Sequence, residues 1–185
     1  MKRYDVSLFS FQLMPNHWQF VLRPNRDGAM SDFLRWVTAA HARRYHARNH
    51  TSAHGHVCQG RFRSFPIQDN KHFLTVCYVE RNALHAELVQ RAKAWRWGSL
   101  SRWLQRPKPE RKLLTAWPIS RSRNWVERVN QALHDTELQA IRTSAQHGSP
   151  CGDTSWVEST AKRLKLESAF RPRVHVDAEK ENNES

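Results

Sequence analysis

Two short apolar segments joined by Met14-Pro15-Asn16 open the chain, and they commit its start to an antiparallel hairpin. Residues 6–12 read Val-Ser-Leu-Phe-Ser-Phe-Gln, an alternation that places one face of a strand in a core. Residues 17–22, His-Trp-Gln-Phe-Val-Leu, form the return strand. Between them Pro fixes one backbone torsion and Asn tolerates the tight conformations a turn demands. A two-stranded hairpin is at best marginally stable in water, so this one needs packing against other parts of the chain.

The covering material is helical. Pro24-Asn25-Arg26-Asp27-Gly28 ends the second strand, and Ser31 is placed to cap a helix running to Asn49. Phe33, Trp36, Val37, Ala40 and Tyr45 recur at helical spacing, while Arg35, Arg43, Arg44 and Arg48 occupy other faces and can meet phosphate. Residues 50–60 are a loop rich in His, Ser and Gly, and residues 62–68 read as a third strand. A second helix is expected over residues 71–88, started by Asp69 or Asn70 and carrying Tyr78. Residues 95–117 are an aromatic, Arg-rich connector, in which at least two of Trp95, Trp97 and Trp103 are expected to pack into the core rather than stack on bases. Three further helices follow, over residues 125–133, 135–144 and from Thr154 or Ser155 to Leu166. The division expected is a core over residues 1–92, a Trp- and Arg-rich helical segment over 93–173, and a disordered tail over 174–185, where Glu, Asn and Lys leave nothing to bury.

Charge narrows the partner. The chain holds 30 Lys plus Arg against 17 Asp plus Glu, and residues 1–130 account for 23 of the basic and only 8 of the acidic side chains. A polyanion bound there is the physical expectation, and because 22 of the 30 cations are Arg, bidentate phosphate contacts and stacking on bases are both open. No apolar run reaches the ~18 residues a membrane span needs, and no signal-type segment follows Met1, so a cytoplasmic protein is expected. Cys58, Cys77 and Cys151 are odd in number and form no CxxC pair, which argues against a disulfide framework or a closed zinc site. His54, His56 and Cys58 alternate, but a loop contacting DNA is the better reading of that segment than a zinc ion with three local ligands.

Residues 13–22, Leu-Met-Pro-Asn-His-Trp-Gln-Phe-Val-Leu, resemble the Met-Pro-Asn-His-x-His strand of the IS200-like, HUH-type single-tyrosine transposases, in particular the branch associated with repetitive extragenic palindromes. Gly55-His56, Gln59-Gly60-Arg61-Phe62, Phe65-Pro66-Ile67, Tyr78-Val79-Glu80-Arg81-Asn82, residues 95–99, Trp156-Val157 and Ala161-Lys162-Arg163-Leu164 continue the series in the family's order. The resemblance implies an α+β fold with a ferredoxin-like antiparallel sheet and packed helices, here with the family's first strand and helix missing, and a helical C-terminal segment. A missing interior strand is expected to leave an unpaired edge inside the sheet.

The activity implied is transposition of DNA, by cleaving and rejoining single-stranded or hairpin-forming palindromic DNA through a 5′-phosphotyrosine. Tyr78 matches the nucleophile. His17 matches the first ligand of a divalent metal, Mg²⁺ or Mn²⁺, and Asn82, one helical turn after Tyr78, a third ligand. The second histidine of the pair is replaced by Gln19, whose amide oxygen suits hard cations but is a poorer donor than imidazole for softer ones; a cost of ~10-fold or more is expected. Arg35, Arg43, Arg44, His56, Arg61, Arg63 and Arg81 are the candidate DNA contacts. The competing readings are a catalytically impaired binder of DNA hairpins and a degenerate transposase fragment.

Overall fold

β1 (Val6–Leu13) and β2 (Trp18–Pro24) pair antiparallel across a turn in which the Met14 N–H donates to the His17 carbonyl at 2.8 Å. The computed structural model describes residues 4–51, 56–58, 60–105 and 113–170; the tail over 174–185, His54 of the histidine-rich loop and part of the connector lie outside these residues. Register runs Leu8 to Leu22 and then Ser10 to Val21, so Phe9 is an extra residue in β1, a β-bulge. The bulge changes which side chains face which way. Before it, Val6 packs with Phe20 and Leu22; after it, Ser10 and Gln12 stand opposite Val21 and Gln19. Leu8-Phe9, two adjacent apolar residues inside an alternating segment, is the mark of this shift in the sequence.

Each face of the hairpin is covered by one long helix. α1 (Ala29–Asn49) lays Ala29, Phe33, Leu34 and Val37 against Val6, Phe20 and Leu22. Its start is set by Gly28, whose φ of 78° is the left-handed turn that favours glycine, and Ser31 falls inside the first turn rather than at the cap. α2 (His72–His85) lays Val76, Cys77 and Val79 against Phe9 and Val21 on the other face. It ends three residues before the expected Leu88, with Glu87 at φ 57° turning the chain away.

The C-terminal part joins the same core. α3 (Ser99–Leu104), α4 (Trp125–Asn130), α5 (Asp135–His147) and α6 (Thr154–Leu164) follow, and Leu100, Trp125 and Val129 share a buried cluster with Phe9, Val21 and Val76. The fold is therefore α+β, an antiparallel sheet with helices on both faces and a helical C-terminal segment. Among the described residues the sheet has two strands, one fewer than expected. Residues 62–68 contribute a single bridge, Ile67 to Cys151. That bridge consists of Cys151 N–H donating to Pro66 O at 2.8 Å and Gln68 N–H donating to Cys151 O at 3.0 Å, and Pro66 has no N–H to extend it.

The outer edge of β1, expected to be bare, is closed by the connector. Thr115 N–H donates to Leu8 O at 2.7 Å, Leu13 N–H to Trp97 O at 3.0 Å, and Gln12 bridges Gly98. Two indoles add to this, Trp117 Nε1–H donating to Phe9 O at 2.8 Å and Trp95 Nε1–H to Leu13 O at 3.0 Å. Trp103 packs against the core cluster as expected, Trp95 is half-buried, and Trp97 is exposed. A tryptophan-rich segment thus supplies side-chain and backbone donors where a neighbouring strand would supply only backbone.

Candidate active site at the start of β2 and the middle of α2

His17 and Gln19 are two residues apart at the start of β2, and both side chains turn to the face covered by α2. Asn82, one turn from the end of α2, meets them. Its Nδ2 donates to Gln19 Oε1 at 2.9 Å and to His17 Nε2 at 3.2 Å. On the other side of the ring His17 Nδ1 contacts Asn16 Oδ1 at 2.8 Å. Asn16 can accept only from a protonated Nδ1, which leaves the lone pair on Nε2, the atom that faces Asn82 and Gln19. The Pro-Asn-His turn therefore does two jobs: it closes the hairpin and sets the tautomer.

Two of the separations among these three atoms match those between donors to one cation. Ligand bonds of ~2.1 Å in octahedral geometry put neighbouring ligand atoms ~3.0 Å apart, and the distances found are 2.9 and 3.2 Å. Rotating the Asn82 amide by half a turn replaces its NH₂ with Oδ1, so that a nitrogen and two oxygens face one point. One nitrogen and two oxygens are a donor set of the kind that a hard divalent ion accepts. None of the three is a carboxylate, however, so the set would hold a cation less strongly than one containing a carboxylate.

Tyr78 precedes Asn82 by one turn and lies on the same side of α2. It lines a cavity of about 150 Å³ between α2 and the α4–α5 junction, together with Asn82, Arg81 and His85 from α2 and Leu133 and Leu138 from the other wall. Asn82 is the one residue common to this cavity and to the His17–Gln19 cluster. Cys77, beside Tyr78, points the other way, into the core against Arg128 O. Burial pushes its thiol up to about 11, so it stays protonated at neutral pH and offers no competing nucleophile.

α2 is held at this height by Glu80, which is fully buried. Its carboxylate accepts from Trp125 Nε1–H and Ser99 Oγ–H, both at 2.8 Å, and more loosely from Ser10 Oγ–H and Arg121 Nη2, both at 3.4 Å. The Arg121 guanidinium also lies over the rings of Trp117 (3.7 Å) and Trp103 (4.4 Å). Burial raises the carboxyl above its usual range, against the lowering effect of Arg121 and the hydrogen-bond donors. Glu80 thus ties the tyrosine helix to β1, α3, α4 and the connector.

The candidate DNA contacts are spread over the surface. Arg35, Arg43 and Arg44 are exposed on α1, which covers the opposite face of the hairpin from Tyr78. His41 packs its ring against Trp18 at 4.7 Å, so the C-terminal half of α1 lies beside the start of β2. His56, Arg61 and Arg63 are exposed in the segment before α2. Arg81 differs from the rest: its Nη1 donates to the carbonyls of Val129 and Asn130 at the end of α4, so part of its guanidinium is engaged in holding α4 to α2. The wall from Leu133 to Leu138 is invisible in the sequence, because nothing in the spacing links it to Tyr78 some 55 residues earlier.

The family model described as Transposase IS200 like matches residues 1–82, from the hairpin through Asn82. No curated protein and no solved structure matches the chain.

Proposed function

Taking residues 1–82 as an IS200-like transposase core, with DNA as the partner that such a core implies, we propose that the protein cleaves and rejoins single-stranded or hairpin-forming DNA through Tyr78. The observation that carries this reading is the meeting of His17 Nε2, Gln19 Oε1 and the Asn82 amide beside the cavity that Tyr78 lines. The Tyr78 oxygen forms a bond to phosphorus while the bond to the 3′ oxygen breaks. The tyrosine proton passes through water to the departing 3′ oxygen, leaving a 5′-phosphotyrosine and a free 3′-OH, and reversal on a second 3′-OH rejoins the strand. His17, Gln19 and a turned Asn82 would hold Mg²⁺ or Mn²⁺, which supplies charge neutralisation at the phosphate oxygens when bound. The exposed arginines of α1 and of the segment before α2 guide the flanking backbone.

A second reading, a DNA-hairpin binder without cleavage, is favoured by the Asn82 amide, which closes the cluster on itself and adds no negative charge. Incubating the protein with labelled hairpin oligonucleotides and Mn²⁺, followed by denaturing electrophoresis, separates the two. A covalent protein–DNA band that Tyr78→Phe abolishes is the expected result. Retarded complexes under native conditions without any covalent band would establish the binder instead.

A further inference from the structure

The cavity beside Tyr78 has a composition that its part in strand cleavage does not explain. A phosphodiester needs donors and positive charge; the α2 wall offers Arg81, Asn82 and His85, yet the facing wall is Ala132, Leu133 and Leu138, with Asp135 also lining the cavity. An anion placed there would be desolvated against two leucines and repelled by Asp135. The nearby cations are partly committed: Arg81 Nη1 to the carbonyls of α4, and Arg142 Nη2 to His85 Nε2 at 3.0 Å. A neutral, flat ring with a polar edge is the complementary shape, since apolar side chains can take its face while Asn82 and Asp135 meet its edge.

Size agrees. About 150 Å³ is well below the ~300–1,000 Å³ typical of sites for drug-sized ligands, and suits a single ring system. From this we propose that the pocket between α2 and α5 receives one unpaired nucleobase of the DNA strand, next to the phosphate that Tyr78 attacks. The base leaves its stack, lies against Tyr78, Leu133 and Leu138, and presents hydrogen-bonding atoms to Asn82 and Asp135. Its insertion fixes which phosphodiester reaches Tyr78, so α5, in the helical segment that follows the connector, contributes to the choice of cleavage position. The inference rests on the strand-cleavage reading but adds a base-recognition site built largely from residues beyond the family match, which ends at 82.

The test scans a hairpin oligonucleotide with single abasic sites through its unpaired flank and measures binding in Mg²⁺ by fluorescence anisotropy. One position is expected to weaken binding by about 5- to 150-fold when its base is removed, the range of stacking on aromatic side chains, with its neighbours far less affected. Leu138→Trp, which fills the pocket, is expected to bring the intact oligonucleotide down to the affinity of the abasic one at that position. Because the abasic scan leaves the protein unaltered, it does not depend on the variant folding. Tight binding with every abasic position tolerated alike would overturn the pocket while leaving cleavage by Tyr78 standing. A base-dependent position whose effect survives in folded Leu138→Trp would place base recognition elsewhere and overturn it as well. Failure to bind single-stranded or hairpin DNA at all would remove the strand-cleavage reading together with the pocket.

Discussion

The two faces of the hairpin are built on different principles. Toward α1, Val6, Phe20 and Leu22 meet Ala29, Phe33 and Leu34, with Phe20 edge-on to Phe33 at 6.0 Å. Stability there comes from apolar area removed from water and from packing density. Toward α2, apolar contacts through Phe9 and Val21 are interleaved with Ser10, Gln12, Gln19 and Glu80, three of which are buried. Polar groups in such a place cost free energy unless each finds a partner; Ser10 and Glu80 find theirs in α3, α4 and the connector and Gln19 in Asn82, while Gln12 Nε2 is buried without a hydrogen-bond partner. The face that bears the candidate chemistry is thus the one that depends on distant parts of the chain.

The sharpest way to break this contrast is Glu80→Ala. It leaves Trp125 Nε1, Ser99 and Arg121 without their acceptor in the core, and a loss of about 3–5 kcal/mol in urea unfolding is expected. Next is Gly98→Ala. A methyl group there would collide with Oε1 of Gln12, which is 1% exposed and has little room to yield, so about 1–3 kcal/mol is expected in the same measurement. Gln19→His asks whether the polar face is limited by its ligands. Two imidazoles should raise Mn²⁺ affinity, read by calorimetry, by about 10-fold, and no gain in a folded variant would shift the limitation to how Tyr78 is placed.

On the apolar face, Phe33→Leu keeps an apolar side chain and most of the volume but loses the edge-on contact with Phe20, so about 1–1.5 kcal/mol should be lost. A cost above that of Glu80→Ala would overturn the contrast. The finest test uses pH. Burial raises the Glu80 carboxyl in the folded state, so its contribution to stability is complete below the ordinary carboxyl value of 4.5 and declines as pH rises through the raised value. Glu80→Gln removes that titration. The stability of wild type minus variant should therefore fall as the pH of the unfolding series is raised from 4 toward neutrality, and a difference that grows with pH would show that Arg121 and the donors outweigh burial.

Much of the apolar face is legible in the sequence, because period-two and helical spacing are local signals that Phe20, Leu22, Phe33 and Val37 display directly. His17 and Gln19 are legible as a pair for the same reason, and the resemblance brings Asn82 to them. Glu80 is not. It enters the sequence reading only as part of the series around Tyr78, and its partners Ser10, Ser99 and Trp125 are 70, 19 and 45 residues away. The strand expected over residues 62–68 fails for a related reason. Composition can make a segment able to pair, but a strand exists only where a partner lies alongside, and here Cys151 offers one bridge.

The closure of β1 by Trp95, Thr115 and Trp117 also bears on synthesis. Phe9 and Trp117 are 108 residues apart, so at ~5–20 residues per second the hairpin edge waits roughly 5–20 s on the ribosome before its last donor is even made. During that time it is an apolar strand edge able to pair with the same edge on a neighbouring nascent chain. A chaperone that binds extended apolar segments would find its target in residues 6–13, and expression yield should depend on how fast residues 95–117 follow. The tryptophans of the connector are in this sense the chain's own protection against aggregation, delivered late.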